Sequence, residues 1–533
     1  MIFEVTDEQI ERLNDADLRT LVGFLCEEEV KLHGHSPVSV TRGGNQNAAD
    51  GGIDVRVDLH ENAAIAGYVP VPATGFQVKA QDMPRQLILS EMAPGGVLRS
   101  SIAELAAKRG AYIIVSSKGS LADTALSSRR QAMIAAIDGK VADGSLALDF
   151  YDRHRVATWV NQHPGLVPWV RERVAVPIAG WRACGDWSSS PTALSTPYLL
   201  DGAVRLLNPT LSGANGLSAI DGVNKLRQLL EKPKGVVRLV GLSGVGKTRL
   251  VQALFDSRVG VNQLPESQAV YADISDSPDP VPFELLSQLI ILKRRAVVIV
   301  DNCGAELHRK LAAKVVASDS LLSLITIEYD ITDDEPENTD VFKLEPASIE
   351  VIEKVLESRF PAIPAPSRSV IAKFSDGNAR VALALAHTAK AGESLVNLRD
   401  TELFKRLFDQ AKGPSEELLN AAKVCALLYS FDGETVEGTD GELAHLADLA
   451  GLDVNTLYKH VAELARRQLV QKRGKWRAIL PHALAHRLAK LALDDIPFQH
   501  IRAVVMNSGS ERMLRSFSRR IGYCPKLVAP MWS

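Results

Sequence analysis

Cysteine is scarce and scattered in this 533-residue chain: Cys26, Cys184, Cys303, Cys425 and Cys524 form no CxxC pair and no regular spacing. That excludes a disulfide framework and predicts a reduced, cytoplasmic protein. An excess of charge of one sign is lacking too, with 61 basic residues against 64 acidic ones. Any surface that binds nucleic acid must therefore be local. No apolar run approaches the ~20 residues of a membrane helix, so no membrane partner is expected. The opening MIFEVTDEQIERLNDAD lacks the basic-then-apolar order of a signal peptide. A repeat of roughly 20–50 residues is also absent, which excludes a solenoid within the chain. What remains is ordinary globular composition, 46% hydrophobic and 23% charged, in a chain long enough for about three or four domains.

Residues 1–175 read as mixed α/β. An amphipathic stretch from Asp17 to Leu32 precedes strand-like runs at Val38–Arg42, Ile53–Leu59, Gly75–Ala80, Ala111–Ser116 and Leu146–Tyr151. Residues 176–216, rich in Gly, Trp, Pro and Ser, read as a linker that packs through Trp181 and Trp187. A second α/β block over 217–344 alternates strands (Val236–Val240, Ala269–Ala272, Ala296–Val300, Leu322–Ile327) with helices, which implies a parallel sheet. Residues 345–410 and 411–495 are nearly all helical, and 496–533 read as a basic tail.

The strongest motif is VVRLVGLSGVGKTRLVQALF, in which Gly241, Gly246, Lys247 and Thr248 satisfy GxxxxGK[ST] between a strand and a helix. The loop residues Gly241, Ser243, Gly244, Val245, Gly246, Lys247, Thr248 and Arg249 would line a phosphate site. Glycines there let successive N–H groups turn toward an anion at the positive end of a helix. Lys247 would reach the β and γ phosphates of ATP, and Thr248 would ligate Mg²⁺. AVVIVD then places Asp301 at the end of a buried strand, suited to the same Mg²⁺. Its neighbour is Asn302 rather than a second acid, with Glu306 as a substitute for activating water, so tight binding and slow turnover are expected. Arg380, in Gly377-Asn378-Ala379-Arg380, suits a γ-phosphate sensor.

Further on, LADLAGLDVNTLYKHVAELARRQLVQKRGKWRAILPH reads as a winged helix, with Lys459, Arg466, Arg467, Lys472, Arg473, Lys475 and Arg477 as candidate DNA contacts. Protein packing is the favoured use of this module. In this order the motifs resemble the STAND class of signal-transducing NTPases, over about Leu217 to Leu493. In that class a winged-helix histidine contacts bound ADP, and the matching residue here is His482. The strand Leu322–Ile327 continues into Glu328-Tyr329-Asp330 without the arginine that many relatives carry.

The second cluster is GGNQNAADGGIDVRVDL followed by TGFQVKAQ. Asp54 opens one strand, and alternation puts Gln77 and Lys79 on one face of the next. A carboxylate plus an amide oxygen suits Mg²⁺, and a neighbouring lysine can orient attacking water and offset phosphodiester charge. One of Glu27, Glu28 and Glu29 could complete the metal shell, with Glu28 preferred; Asp50 is read as orienting the glycines. D-G-G-I-D followed by Q-x-K resembles the Mrr-like branch of PD-(D/E)xK nucleases, over about Asp17 to Tyr151.

Together these resemblances imply a multidomain α/β plus α architecture: a restriction-endonuclease-like α/β domain, a P-loop NTPase parallel-sheet domain, a helical lid and a winged-helix domain. The combination resembles Avs-type antiviral proteins of bacteria. That implies an ATP-switched, Mg²⁺-dependent DNA endonuclease, activated by homo-oligomerisation after a phage protein is sensed, with double-stranded DNA as substrate. The long repeat sensor of that class is expected to be absent, shortened or supplied by a separate chain. The rival readings are a DNA-binding transcription regulator and an ATP-dependent restriction enzyme.

Overall fold

The computed structural model describes residues 3–43, 51–183, 198–208, 216–241, 244–317, 319–329, 339–389, 393–396, 398, 402–403, 416–435, 441–466, 469–473, 475–479 and 482–522. After a short helix α1 (Asp7–Glu11), the long helix α2 (Asp15–Leu32) begins where the Asn14 side chain accepts from the Asp17 N–H. Its apolar positions Leu18, Leu21, Val22, Leu25, Cys26 and Val30 recur at helical spacing and are all buried.

Five strands follow, in the spatial order β1 (Val40–Arg42), β2 (Val55–Asp58), β3 (Ala73–Lys79), β4 (Ala111–Ser116) and β5 (Ala147–Tyr151). The first three run antiparallel and the last three parallel. Period-two alternation sends Phe76, Val78, Ile113 and Val115 toward α2. Tyr112 and Ile114 pack instead with α3 (Arg85–Met92), α4 (Ser100–Ala107) and α5 (Asp123–Ile137) on the other face. Two further helices, α6 (Arg153–Asn161) and α7 (Leu166–Arg173), complete this unit. Trp159 on α6 is fully buried, stacks on Tyr68 at 4.6 Å, and donates its indole N–H to Glu29 at 2.9 Å.

The second unit is an eight-stranded sheet, completed by β6 (Trp181–Arg182), β7 (Val204–Leu207), β8 (Leu217–Ser218), β9 (Val236–Gly241), β10 (Ala269–Asp273), β11 (Val297–Asp301), β12 (Ser323–Tyr329) and β13 (Asp340–Leu344). Its order is β6-β10-β11-β12-β9-β13-β7-β8, and the five strands from β10 to β13 in that order are parallel. The helices α8 (Ala219–Glu231), α9 (Lys247–Ala253), α10 (Pro282–Ile291) and α11 (Ala305–Val315) connect them.

Two sequence expectations change here. Residues 176–216 are more than a linker, because β6 and β7 join the sheet edges and Trp181 is buried with its indole N–H on the Pro280 carbonyl at 2.8 Å. Trp187 lies outside the described residues. The strand β13 has no counterpart in the sequence reading.

One hydrophobic cluster continues from α2, α6 and α7 into the eight-stranded sheet, taking in Val270, Leu285, Val298 and Leu324. The two α/β units therefore share a core. The backbone joins in as well, since Gly165 N–H donates to the Ser267 carbonyl at 2.6 Å.

Helices α12 (Ile349–Arg359), α13 (Ala365–Ser375) and α14 (Ala379–Thr388) pack with the helices Glu416–Ala426, Glu442–Ala450, Val454–Arg466 and His482–Asp495. A small sheet orders β14 (Phe431–Asp432) beside β16 (Trp476–Ile479) and β15 (Val470–Arg473). The expected boundary at residue 410 lies outside the described residues. The expected basic tail is corrected over its described part. Residues 511–522 form a helix whose Met513, Phe517 and Ile521, spaced at four, join the core. Among the described residues, no helix is long and apolar enough to cross a membrane.

Candidate functional site

The glycine-rich loop links β9 to α9 at the C-terminal edge of the parallel strands. Gly241, Gly244 and Gly246 all have positive φ, the conformation that lets the loop turn back on itself. Gly246 caps α9, so the first free N–H groups of that helix face the loop. Lys247 donates to the Gly241 carbonyl at 2.8 Å and thus lies folded across the loop. Ser243 lies outside the described residues.

Asp301 ends β11. One of its oxygens accepts from the Thr248 hydroxyl at 2.8 Å and the Tyr271 hydroxyl at 3.1 Å, and the other from Asn302 N–H at 2.8 Å. Burial raises the pKa of this carboxyl, and the Thr248 and Asn302 hydrogen bonds oppose that rise. The Asn302 amide donates to both oxygens of Asp273, at 2.8 and 3.0 Å, which ties the ends of β10 and β11 together. Glu306 is exposed at the start of α11 and pairs with Lys310 at 2.8 Å.

The helical region closes over this loop. Ala379 N–H donates to the Gly244 carbonyl at 3.2 Å, and Asn378 caps α14 through Val381 N–H. Arg380 is thereby placed in the first turn of α14, beside Gly244. A cavity of about 520 Å³ lies beside the loop, lined by Val245, Gly246, Thr248 and Arg249, by Tyr198 and Arg205, and by Val351, Val355 and Leu383 from the helices above. The buried Arg205 donates to the carbonyls of Val245 at 2.9 Å and Glu345 at 2.7 Å, bracing the loop. No local motif marked Arg205, because its partners are backbone atoms distant in sequence. His482 begins the helix His482–Asp495.

The second constellation gathers at the end of β3. Asp54 is 3% exposed; its Oδ2 accepts from Val78 N–H at 2.7 Å, and its Oδ1 faces Arg19 Nε at 3.0 Å. Gln77 is buried, and its Oε1 has no hydrogen-bond partner among the described residues. That oxygen lies 3.4 Å from where a Cβ on Gly52 would sit, and the Arg99 side chain packs closer still, so the glycine makes room for Arg99 beside Gln77. Lys79 Nζ stands 3.6 Å from Glu91 Oε2 on α3, and Arg99 holds the other Glu91 oxygen at 3.2 Å. Gln77 and Arg99 flank Gly52, Arg99 and Lys79 share Glu91, and Asp54 meets the same end of β3 through Val78 N–H. Asp50 lies outside the described residues.

Sequence reasoning missed Glu91 and Arg19, which reach the site from helices with no motif of their own. The expectation for Glu28 is corrected. Its Oε2 accepts from Ser267 at 2.6 Å, in the second α/β unit, and its Oε1 accepts from Lys31 at 2.7 Å. Nine residues of helix separate it from Arg19, about 13 Å along the axis. Glu27 pairs with Arg42, and Glu29 with Trp159. Among the described residues, no group of three or more His, Cys, Asp or Glu side chains is placed to hold a metal. A single carboxylate with a spare amide oxygen still fits Mg²⁺, which keeps most of its water and takes further oxygens from phosphate.

The candidate DNA-contacting cations do not form one open face. Arg477 is buried and pairs with Glu434 at 3.1 Å, Lys475 pairs with Asp432 at 2.9 Å, and Arg466 pairs with Glu463. Lys459 is exposed. Arg467 and the side chains of Lys472 and Arg473 lie outside the description.

No protein-family model and no curated protein matches the chain. Similar solved structures include a Signal Transduction ATPase with Numerous Domains (STAND) protein with a tetratricopeptide repeat sensor from Pyrococcus horikoshii, at 12% identity and TM-score 0.25, over 60% of this chain and 52% of that one. A Walker-type ATPase of Pyrococcus abyssi is similar at 15% identity and TM-score 0.27, over 50% of this chain and 94% of that one. Hsp104 in its closed state with ATPγS and FITC-casein is similar at 14% identity and TM-score 0.27, over 48% of this chain and 53% of that one. The chain spans about half the length of the first and third of these.

Proposed function

We propose that this chain is a nucleotide-gated, metal-dependent DNA nuclease, with a STAND-type P-loop NTPase unit fused behind a PD-(D/E)xK-like domain. What supports the reading is the end of β3, where Lys79 faces Glu91, Gln77 lies beside Gly52 and Arg99, and Asp54 accepts from Val78 N–H. What supports the gate is the Thr248–Asp301 pair beneath a glycine-rich loop, together with the core shared by the two units.

In the nucleotide site, the loop N–H groups and Lys247 bind the phosphates, and Thr248 and Asp301 hold Mg²⁺. The mostly apolar cavity of about 520 Å³ takes the base and ribose. Arg380, in the first turn of α14 beside Gly244, is assigned the role of γ-phosphate reporter. The residue after Asp301 is Asn302 rather than an acid, and its amide is engaged with Asp273 on the neighbouring strand, which favours a slow switch over a motor.

In the nuclease site, Asp54 and Gln77 would hold Mg²⁺, which supplies Lewis-acid activation of water and of the scissile phosphate. Lys79 orients the attacking water and offsets charge developing on the phosphate, while Glu91, 3.6 Å away, holds the lysine in place. Double-stranded DNA is the proposed substrate, homo-oligomerisation the activating event, and antiviral defence the biological setting.

Full-length protein incubated with plasmid, Mg²⁺ and ATP should degrade DNA. Lys79→Ala should abolish degradation with nucleotide binding intact, whereas Lys247→Ala should lose both. Degradation that survives Lys79→Ala would overturn the assignment. Sequence-specific binding without cleavage, lost in Arg466→Ala, would favour the transcription-regulator reading instead.

A further inference from the structure

Asp54 is a buried carboxylate, and a buried carboxylate needs a compensating cation. Its Oδ2 is taken by Val78 N–H at the strand edge, where β3 runs on past the start of β2. Arg19 Nε lies 3.0 Å from Asp54 Oδ1. The same guanidinium donates to Asp15 at 2.5 Å, and Asp15 in turn accepts from Ala80 N–H at 2.9 Å. Arg19 therefore bridges two carboxylates that close the edge of β3 on either side of Lys79.

We propose that Arg19 is a tethered cation standing in the divalent-ion position at Asp54, so that this conformation holds the nuclease site shut. The inference rests on the nuclease reading above and adds its regulation. Arg19 and a divalent ion both need Asp54 Oδ1, and two cations cannot share one buried oxygen without strong repulsion. Opening the site means moving Arg19. A cleft of about 680 Å³ is bordered by Asn14 and Asp15, at the start of α2, and by Ala80, Gln81 and Lys118, so the start of that helix has free space alongside it. The other end of α2 is fastened to the nucleotide-side unit through Glu28 and Ser267. A shift between the two units is therefore transmitted along the helix that carries Arg19.

The test titrates Mn²⁺ into nucleotide-free full-length protein, read by electron paramagnetic resonance of free Mn²⁺. Binding is assigned to this site by its loss in Asp54→Asn, which keeps an oxygen for Val78 N–H. Arg19→Met keeps the aliphatic stem and removes the charge; Arg19→Ala serves as the second variant, and circular dichroism checks that both fold. The expected result is Asp54-dependent Mn²⁺ binding at least about tenfold tighter in the Arg19 variants than in the parent. Unchanged or weaker binding in folded Arg19 variants, with the parent binding through Asp54, would overturn the gate and leave the nuclease reading standing. No Asp54-dependent binding in any of these proteins would overturn both.

Discussion

The Thr248 hydroxyl donates to Asp301 Oδ2 across 2.8 Å, joining the first turn of α9 to the end of β11, 53 residues later in the chain. Both groups are suited to share one hard cation, and without it they satisfy each other. On the proposed reading the pair would hold the Mg²⁺ that accompanies ATP.

Removing the hydroxyl should therefore weaken nucleotide binding in a metal-dependent way. In Thr248→Ala, affinity for a fluorescent ATP analogue is expected to fall about tenfold or more with Mg²⁺ present. Without Mg²⁺ the change should be small. Equal losses under the two conditions would mean that Thr248 shapes the loop rather than holding the ion.

Gly244 couples the loop to the helical region. Its φ is +84°, and a Cβ there would meet the Asn378 side chain and lie 2.8 Å from Arg380 Cβ. Gly244→Ala combines backbone strain of about 1–3 kcal/mol with a clash at the α14 cap. Lower thermal stability and weaker ATP binding are expected together. Parent-like values for both, by differential scanning fluorimetry and titration, would show that the loop and α14 are not in close contact.

Glu28 and Ser267 meet across the join between the two α/β units. Ser267→Ala leaves a buried carboxylate oxygen without its donor, at a cost of about 1–3 kcal/mol by urea unfolding. Glu28→Ala should likewise destabilise the join without abolishing Asp54-dependent Mn²⁺ binding. Loss of that binding would restore Glu28 as a metal ligand.

His163 lies buried at the same join, and burial pushes its pKa down to about 4, against a smaller opposing pull from Glu28. A histidine whose folded pKa lies below its unfolded value contributes stability that is fully present above about pH 6.5. That stability is lost as pH falls toward 4, by up to about 3 kcal/mol. Replacing His163 with Gln should flatten the stability profile between about pH 6.5 and 4. An acid limb as steep as the parent's would place the titrating group elsewhere; His308, depressed to about 3 by burial and by Arg238, is the next candidate.

Local pattern alone determined the parts of this protein that local physics controls. Helical spacing from Leu18 to Val30 marked α2, apolar runs marked β9 to β12, and glycines at fixed intervals before Lys247 marked the phosphate loop. Asp54, Gln77 and Lys79 were legible because they lie on two adjacent strands, where alternation sets the facing side. Tertiary structure decided the rest, because it depends on which distant surfaces meet. It sent Glu28 to Ser267 instead of toward Asp54, brought Arg19 and Glu91 into the site from two different helices, and recruited β6 and β7 to the sheet. It also buried Met513 and Phe517 in a segment whose charge had suggested a solvated tail. A side chain's partner across the fold is set by the packing of whole elements, and no short window of sequence contains that information.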